Sequence, residues 1–415
     1  MGEITFIYCA IYHHMLLFLE SKIAKWSLNS QTYQMMIFSI LVFSSIYRNY
    51  HRYKFFDPSK EQVQYLQDNH DIWGSDKTGI DVFMSSTDFE SLGLSADGYN
   101  IINIDIQSKI DEESSRMQRC KQIKKIEAPL QLEGRSSLQN VKWFEDFFHD
   151  FSTYTEMHTW YVELSRKYPH LVRFIPSIGK SIENRDIFAI HITAPNKEKK
   201  KQFYLESLIH AREWATGTTT TYIAWKLVEE YTKDNKEFAG ILERAEFIFV
   251  PIANPDGYEY THNSDRMWRK NRRKVNDKYH GVDLNRNWND GYFGQGDSSD
   301  NPKSQMYRGK YAFSEPETKS ISQYYKKLCC VVGAIDFHSY SQWILKPSVD
   351  TSPNDDDFTR VTMQMSDTIM DLTGMYYDPA FVTKGSASNY FYVANPKKEW
   401  VFSLTIEVRP GEDTE

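Results

Sequence analysis

A chain of 415 residues exceeds one ordinary domain and has room for a large α/β body with a small companion. Its formal net charge of −7 argues against a nucleic-acid binder, because the one dense basic run, RMWRKNRRK over 266–274, reads by itself as a solvated surface. Aromatic residues at 15% favour a packed body over disorder, and the four cysteines show neither Cys-x-x-Cys nor zinc-finger spacing, so no zinc knuckle or disulfide framework is announced.

In chain order, the first feature is MMIFSILVFSSIY, Met35 to Tyr47. Its apolar core of about a dozen residues has the length of a signal-peptide core and is short of a membrane span. Ser44 and Ser45 follow where a cleavage site prefers small residues. The upstream residues suggest a natural start at Met35 or Met36, with an uncleaved anchor as the alternative, since no charge falls between Trp26 and Tyr47. Residues 1–47 are therefore expected to be a targeting segment and the protein to be secreted, with no stable membrane span.

Residues 48–112 read as a compact α+β unit. YHRYKFF alternates like a strand, SKEQVQYLQDN has helical spacing, and GIDVFMS and YNIINIDIQSKID are strand-like. Residues 113–137 are polar and rich in Lys and Arg, the composition of a linker open to trypsin-type cleavage. From 138 to 415 helices and strands alternate. TEMHTWYVELSRKYP reads as a helix opening with Thr155, and ATGTTTTYIAWKLVEEYTK as another. RDIFAIHIT, KQFYLESLIH, AEFIFVPIAN, VVGAIDFHSY and WVFSLTIEVR read as strands. This alternation predicts an α/β fold with a mixed, mostly parallel twisted sheet flanked by helices. Cys329 and Cys330, in LCCVVGAI, are expected as small buried thiols.

Four residues with metal or proton chemistry fall at strand ends: His210 and Glu213 in IHAREWATG, His338 in FHSYS and Glu407 in TIEVR. Ligand sites in α/β proteins gather at such ends. An H-x-x-E pair alone is weak, since chance supplies about one in a chain of this composition. Glu407, flanked by Ile406 and Val408, could equally be an outward-facing strand carboxylate.

What decides is context. HAREW, NPDGYEYT, RMWRKNRR, GVDLNRNW, FHSYSQWILKP and TIEVRPG occur in the order found in the zinc carboxypeptidases of the A/B type, which the chain resembles from about Lys142 to Glu415. YHRYKF and IDVFMSS resemble that family's activation domain, which makes 113–137 similar to the segment cut by a trypsin-like protease to release the enzyme. The resemblance implies one zinc ion per chain, held by His210, Glu213 and His338 with a fourth position open, the ligand set for which carboxypeptidase A is a standard example. It makes Asp283 the residue that fixes a ligating imidazole, Glu407 the general base and acid, and Arg269 the oxyanion stabiliser. Asn285 and Arg286 would hold the C-terminal carboxylate of a peptide, for which a planar guanidinium suits better than an ammonium. Arg212 and Tyr340 would line further subsites. Asn285 and Arg286 disfavour a zinc deacylase.

Three departures qualify the likeness. The family's mobile Tyr aligns with Phe381 in AFVTKGSASNYF, and Tyr376 or Tyr377 are its candidate replacements. The base of the side-chain pocket aligns with Ser388; being neither acidic nor basic, it implies preference for neutral, apolar or aromatic C-terminal residues. The sequence stops at Glu415, before the family's C-terminal helix, which implies a C-terminally truncated domain. The expectation is a secreted, monomeric zymogen of a carboxypeptidase acting on peptide or protein C-termini. The alternative is a catalytically impaired relative that binds zinc and peptide.

Overall fold

The computed structural model describes residues 47, 49–76, 79–93, 99–102, 106–131, 137–196, 199–348, 355–394 and 401–408. All of the targeting stretch except Tyr47, and the tail after Val408, lie outside them. Two compact units result: one runs to Asp150 and includes Ser299–Tyr307, the other holds Phe151–Ser298 and the chain from Arg308.

In the first unit, β1 (Tyr50–Phe56), α1 (Lys60–Asn69), β2 (Asp71–Asp76), β3 (Gly79–Ser85), α2 (Ser86–Ser91) and β4 (Tyr99–Ile102) follow one another. The strands form an antiparallel sheet in the order β2-β3-β1-β4. Alternation in β1 sends Tyr53 and Phe55 into a core with Leu66, Ile80, Val82 and Met84. Ser59 and Gln62 form a reciprocal capping box that starts α1. The segment YNIINIDIQSKID is a strand only as far as Ile102. From Ile106 a helix, α3, runs to Gln131 through much of the stretch read as linker, and α4 spans Ser137–Asp146. Ile106, Ile110 and Met117 are buried in α3 at helical spacing, which overrides the local β preference of the isoleucines.

The second unit opens with α5 (Tyr154–Lys167). Its cap is Thr153, which shares a capping box with Glu156, so the helix begins before Thr155. Then come β5 (Val172–Lys180), β6 (Asp186–Ile192), β7 (Lys201–Ser207), α6 (Trp214–Thr232), α7 (Lys236–Arg244), β8 (Ala245–Val250), α8 (Pro255–Asn263), α9 (Pro316–Tyr325), β9 (Val331–Ser339), β10 (Trp343–Lys346), α10 (Asp355–Thr373), β11 (Asp378–Phe381), α11 (Ala387–Val393) and β12 (Phe402–Val408). They build a mixed sheet in the order β11-β10-β12-β9-β7-β8-β6-β5, flanked by helices as expected. The central pairs β12–β9, β9–β7 and β7–β8 are parallel. Every residue of β7 after Lys201 is buried, including the polar Gln202, Glu206 and Ser207 that flank its apolar centre, Phe203–Leu205.

This topology sets up the site. β7, β9 and β12 are adjacent and parallel, so their C-terminal ends lie along one edge of the sheet. The residues following β7, those at the end of β9 and those at the end of β12 are thereby gathered from positions some 200 residues apart in the chain.

Candidate metal centre

The turn after β7 is fixed by side chains that satisfy its backbone. Thr216, in the first turn of α6, accepts from Leu208 N and donates to Glu213 O. Asn254 caps α8 and also donates to Ile209 O and Lys270 O, joining this turn to the one that carries Arg269. Ala211 N closes the link by donating to Arg269 O. His210 and Glu213 thus stand on a braced turn, and His338 stands near the end of β9.

All three side chains are buried, and they converge. His210 Nδ1 is 2.8 Å from Glu213 Oε1, His338 Nδ1 is 3.2 Å from Glu213 Oε2, and the two Nδ1 atoms are 3.0 Å apart. The other ring nitrogens face carboxylates: His210 Nε2 is 3.1 Å from Asp283 Oδ1, and His338 Nε2 is 2.7 Å from Asp336 Oδ2. A proton on each Nε2 leaves a lone pair on each Nδ1, beside the Glu213 carboxylate. Three electron-rich donors this close repel one another unless they share a cation. The donor set of two imidazoles and one carboxylate suits zinc and leaves a coordination position open.

Burial acts against charge on Glu213, but the imidazoles of His210 and His338 hold its carboxyl well below the usual range. Burial likewise opposes charge on Asp283 and is outweighed by Arg269 and His210, so this carboxyl also lies well below its ordinary value. Glu407 behaves oppositely. Burial is the main cause that pushes it up to about 8; Glu213 and Asp336 add to the shift, and His338 and Arg269 oppose it. Two carboxyls in one corner are thus driven apart, one to bind a cation and one to hold or release a proton.

The remaining residues singled out in the sequence fall into two groups. Close to the cluster, Glu407 is in register with His338 across the β9–β12 pair, so the two side chains share a face of the sheet. Arg269 donates from Nη2 to Asp283 Oδ2 at 3.0 Å and holds Nη1 3.7 Å from Glu213 Oε1. Asn285 lies in a short 3-10 turn capped by Asp283, with Nδ2 3.2 Å from His338 Nε2 and Oδ1 accepting from Ala387 N. Arg286 follows in the same turn; its Nε donates to Asp297 O and its Nη1 to Asn285 O.

The second group is Arg212, Tyr340, Ser388 and Phe381. Arg212 Nη1 reaches Met267 O at 3.4 Å, and Tyr340 follows a cis peptide after Ser339 at the end of β9. Ser388 is fully buried in α11 and accepts a hydrogen bond from Thr405, two residues before Glu407. Phe381 ends β11 with 59% of its surface exposed, and the Lys346 ammonium lies 4.4 Å from its ring. Tyr376 is also exposed, whereas Tyr377 is buried.

Two sequence expectations change. The basic run over 266–274 is not simply a solvated face. Arg266 stacks on Trp214, Arg272 on Tyr260 and Trp268, Arg273 pairs with Glu315, and Lys270 is buried. Cys329 is exposed and Cys330 half-buried, because both precede β9 rather than lying inside it. Sequence reading also passed over Asp336, Glu206 and Asp290. The signal for the first two was an acidic residue inside an apolar strand, in VVGAIDF and KQFYLES. Asp290 anchors the loop ahead of α11 by accepting from Gly385 N and Asn389 Nδ2. Gly385 meets that loop's need for a φ of +80°.

Comparison with known proteins bears on all of this. Residues 157–415 match the family described as zinc carboxypeptidase, peptidase M14. Human Carboxypeptidase A1 is 30% identical over 332 residues, covering 78% of this chain and 74% of its own length. The crystal structure of the carboxypeptidase A from Helicoverpa armigera superposes with a TM-score of 0.70 at 25% identity, covering 89% of this chain and 90% of that one. The protein named Inactive metallocarboxypeptidase ECM14 of Paracoccidioides lutzii is 38% identical over 219 residues, half of this chain and 36% of its own length. With the family's domain running through the strands that converge on the metal corner, the chain belongs to the zinc carboxypeptidases and is a metallocarboxypeptidase.

Proposed function

We propose that this protein removes single residues from the C-termini of peptides, with His210, Glu213 and His338 holding zinc and Glu407 moving the proton. The observation that carries the reading is the convergence of three buried donors through Nδ1 and carboxylate oxygens, with Glu407 in register beside His338. Bound zinc would supply Lewis acidity toward a peptide carbonyl and a water molecule. Glu407 takes a proton from water and returns it to the departing amine. Arg269 is already oriented by Asp283 beside the ligands and places a fixed positive charge where an oxyanion develops. Asn285 and Arg286 receive the terminal carboxylate, and Arg212 and Tyr340 contact residues further from it.

The pocket for the leaving residue has a neutral floor at Ser388, which favours apolar or aromatic side chains. Phe381 supplies ring surface without a hydroxyl. In its cellular setting the protein is a secreted zymogen, with residues 113–137 cut by a trypsin-like protease. Support for the latent form is the family likeness of the N-terminal unit; support for secretion is the apolar stretch at Met35–Tyr47. No helix among the described residues is long and apolar enough to cross a membrane.

A second reading, a zinc- and peptide-binding protein without turnover, is favoured by Phe381 and by the relative whose name marks it inactive. Against it, Glu407 and Arg269 stand beside an intact ligand set. The deciding experiment expresses the chain from Arg48, treats it with trypsin, loads zinc and assays peptides ending in Phe, Leu, Lys or Glu. Release of Phe and Leu ahead of Lys and Glu is expected. A folded, zinc-loaded sample that releases none of them overturns the enzymatic reading.

A further inference from the structure

Below the metal corner, two acidic side chains sit fully buried in the sheet. Glu206 of β7 and Asp336 of β9 both have 0% exposure, and they are register partners across a parallel pair, so their side chains leave the same face. Asp336 is also two residues before His338 on that face. Its other neighbour in register is Thr405 of β12, whose hydroxyl is already donated to Ser388.

The hydrogen bonds of this pair are half complete. Asp336 Oδ2 meets His338 Nε2 at 2.7 Å, and Glu206 Oε2 accepts from the Tyr204 hydroxyl at 2.8 Å. Asp336 Oδ1 and Glu206 Oε1 are buried without a hydrogen-bond partner among the described residues. Two ionised carboxylates side by side in a dry sheet repel strongly, and each orphan oxygen carries a desolvation cost. One proton on Glu206, donated to Asp336 Oδ1, removes both problems. Burial and the neighbouring Asp336 push the Glu206 carboxyl well above its ordinary value, in keeping with that arrangement.

A competing contact exists at His338. Asn285 Nδ2 is 3.2 Å from His338 Nε2, and as a donor it favours a bare nitrogen there. The Asn285 amide is fixed by Ala387 N on its oxygen, so it cannot turn to accept. The carboxylate contact is shorter, at 2.7 Å, and involves the stronger acceptor, so Asp336 decides the tautomer.

We propose that Glu206 and Asp336 form a buried acid–carboxylate pair that acts as the positioning element for His338, holding the proton on Nε2 and Nδ1 toward the metal. Asp283 does the same for His210 from outside the sheet. The two imidazoles are thus aimed by separate carboxylates, one on a loop and one inside the sheet, backed by a neutral acid. The inference rests on the reading of His338 as a zinc ligand.

The test measures zinc release from the full-length protein to a colorimetric chelator, with the melting temperature of each metal-stripped variant alongside. Asp336→Ala is expected to release zinc about 10–100 times faster than wild type, the range typical for loss of a ligand's orienting partner. Asp336→Asn should fall between the two. Glu206→Gln can donate an amide N–H to Asp336 and still accept from Tyr204, so its release rate should stay within about twofold of wild type. Zinc held as firmly in both Asp336 variants as in wild type overturns the proposal, as does Glu206→Gln releasing zinc as fast as Asp336→Asn. If Asp336→Ala does not fold, the Asn and Gln variants decide by the same criteria. A merely structural role would lower the metal-free melting temperatures and leave zinc release unchanged. His338→Ala separates the two layers: if it keeps zinc like wild type, the ligand assignment fails; if it loses zinc while the Asp336 variants do not, only this inference fails.

Discussion

The metal corner, at the C-terminal ends of β9 and β12, and the proposed pocket wall, formed by β11 and the loop before α11, are organised differently: β11 runs antiparallel to β12, so Phe381 lies away from the edge that carries Glu407. In the corner each donor is buried and each has a second partner: His210 has Asp283, His338 has Asp336, and Glu213 lies between both imidazoles. On the wall, Tyr376 and Phe381 are largely exposed, and the loop before α11 is tied through Asp290 and through backbone and Thr383 hydrogen bonds. The corner has one workable arrangement of its charges, because any other leaves a buried charge unpaired. Behind the wall Asp290, Ser388 and Asn389 are as buried as the corner, but its exposed face at Tyr376 and Phe381 has no such constraint and can vary in sequence without loss of the fold. Substitutions in the corner should therefore abolish function, and substitutions on the wall should retune it.

The largest effect is expected for His338→Ala. It removes one of three donors, so zinc measured by atomic absorption after dialysis should fall to background and peptide hydrolysis with it. Retained zinc at one ion per chain contradicts the assignment. Next comes Ser388→Asp. An acidic floor should raise kcat/KM for peptides ending in Lys relative to Phe by about tenfold or more, the scale set by a partly buried charge pair. An unchanged ratio removes Ser388 from the pocket.

How far the two regions could be read in advance follows from the same contrast. His210, Glu213 and His338 were legible as a possible metal-binding triad because coordination admits few residue types, and the strands beside them have clear apolar signatures; Glu407 falls in register beside His338. Asp283 and Arg269 were reached through motif context, and the structure does pair them. Asp336 and Glu206 were not read. An acidic residue inside an apolar strand signals something, but what it faces depends on strand order, and β7–β9 adjacency is a long-range property. The turn from strand to helix within YNIINIDIQSKID failed for a related reason. Isoleucine satisfies both periodicities, and burial of Ile106 and Ile110 settles the matter only once the unit is folded. The exposure of Cys329 depended on where β9 begins, a boundary that hydrophobicity alone does not fix.

Smaller effects sharpen the wall. Phe381→Tyr restores a hydroxyl at an exposed position, so kcat/KM should rise by a few-fold, on the scale of about 1 kcal/mol for one hydrogen bond. Equal kinetics for the two proteins means that Phe381 does not reach the substrate.

The smallest effect lies away from both regions. Burial disfavours charge on Glu246 of β8, yet hydrogen bonds from His191 and Gln202 and the charges of His191 and Arg173 hold its carboxyl down to about 2. A depressed folded value means that the stabilisation is complete above the ordinary carboxylate range and is lost as pH falls through about 2. Glu246→Gln should lower the melting temperature by a few degrees at pH 7, on the order of 1–2 kcal/mol after allowance for partial exposure. The gap should close as pH approaches about 2. A gap that widens on acidification contradicts the pairing.

The most direct test of the central claim is a paired measurement on Glu407→Gln, with zinc content and peptide turnover determined on the same activated sample. Gln keeps the shape of the side chain and removes its capacity to accept and return a proton. The expected result is one zinc per chain, as in wild type, with turnover reduced by about 100-fold or more. A zinc-loaded Glu407→Gln that hydrolyses peptides at the wild-type rate would contradict it.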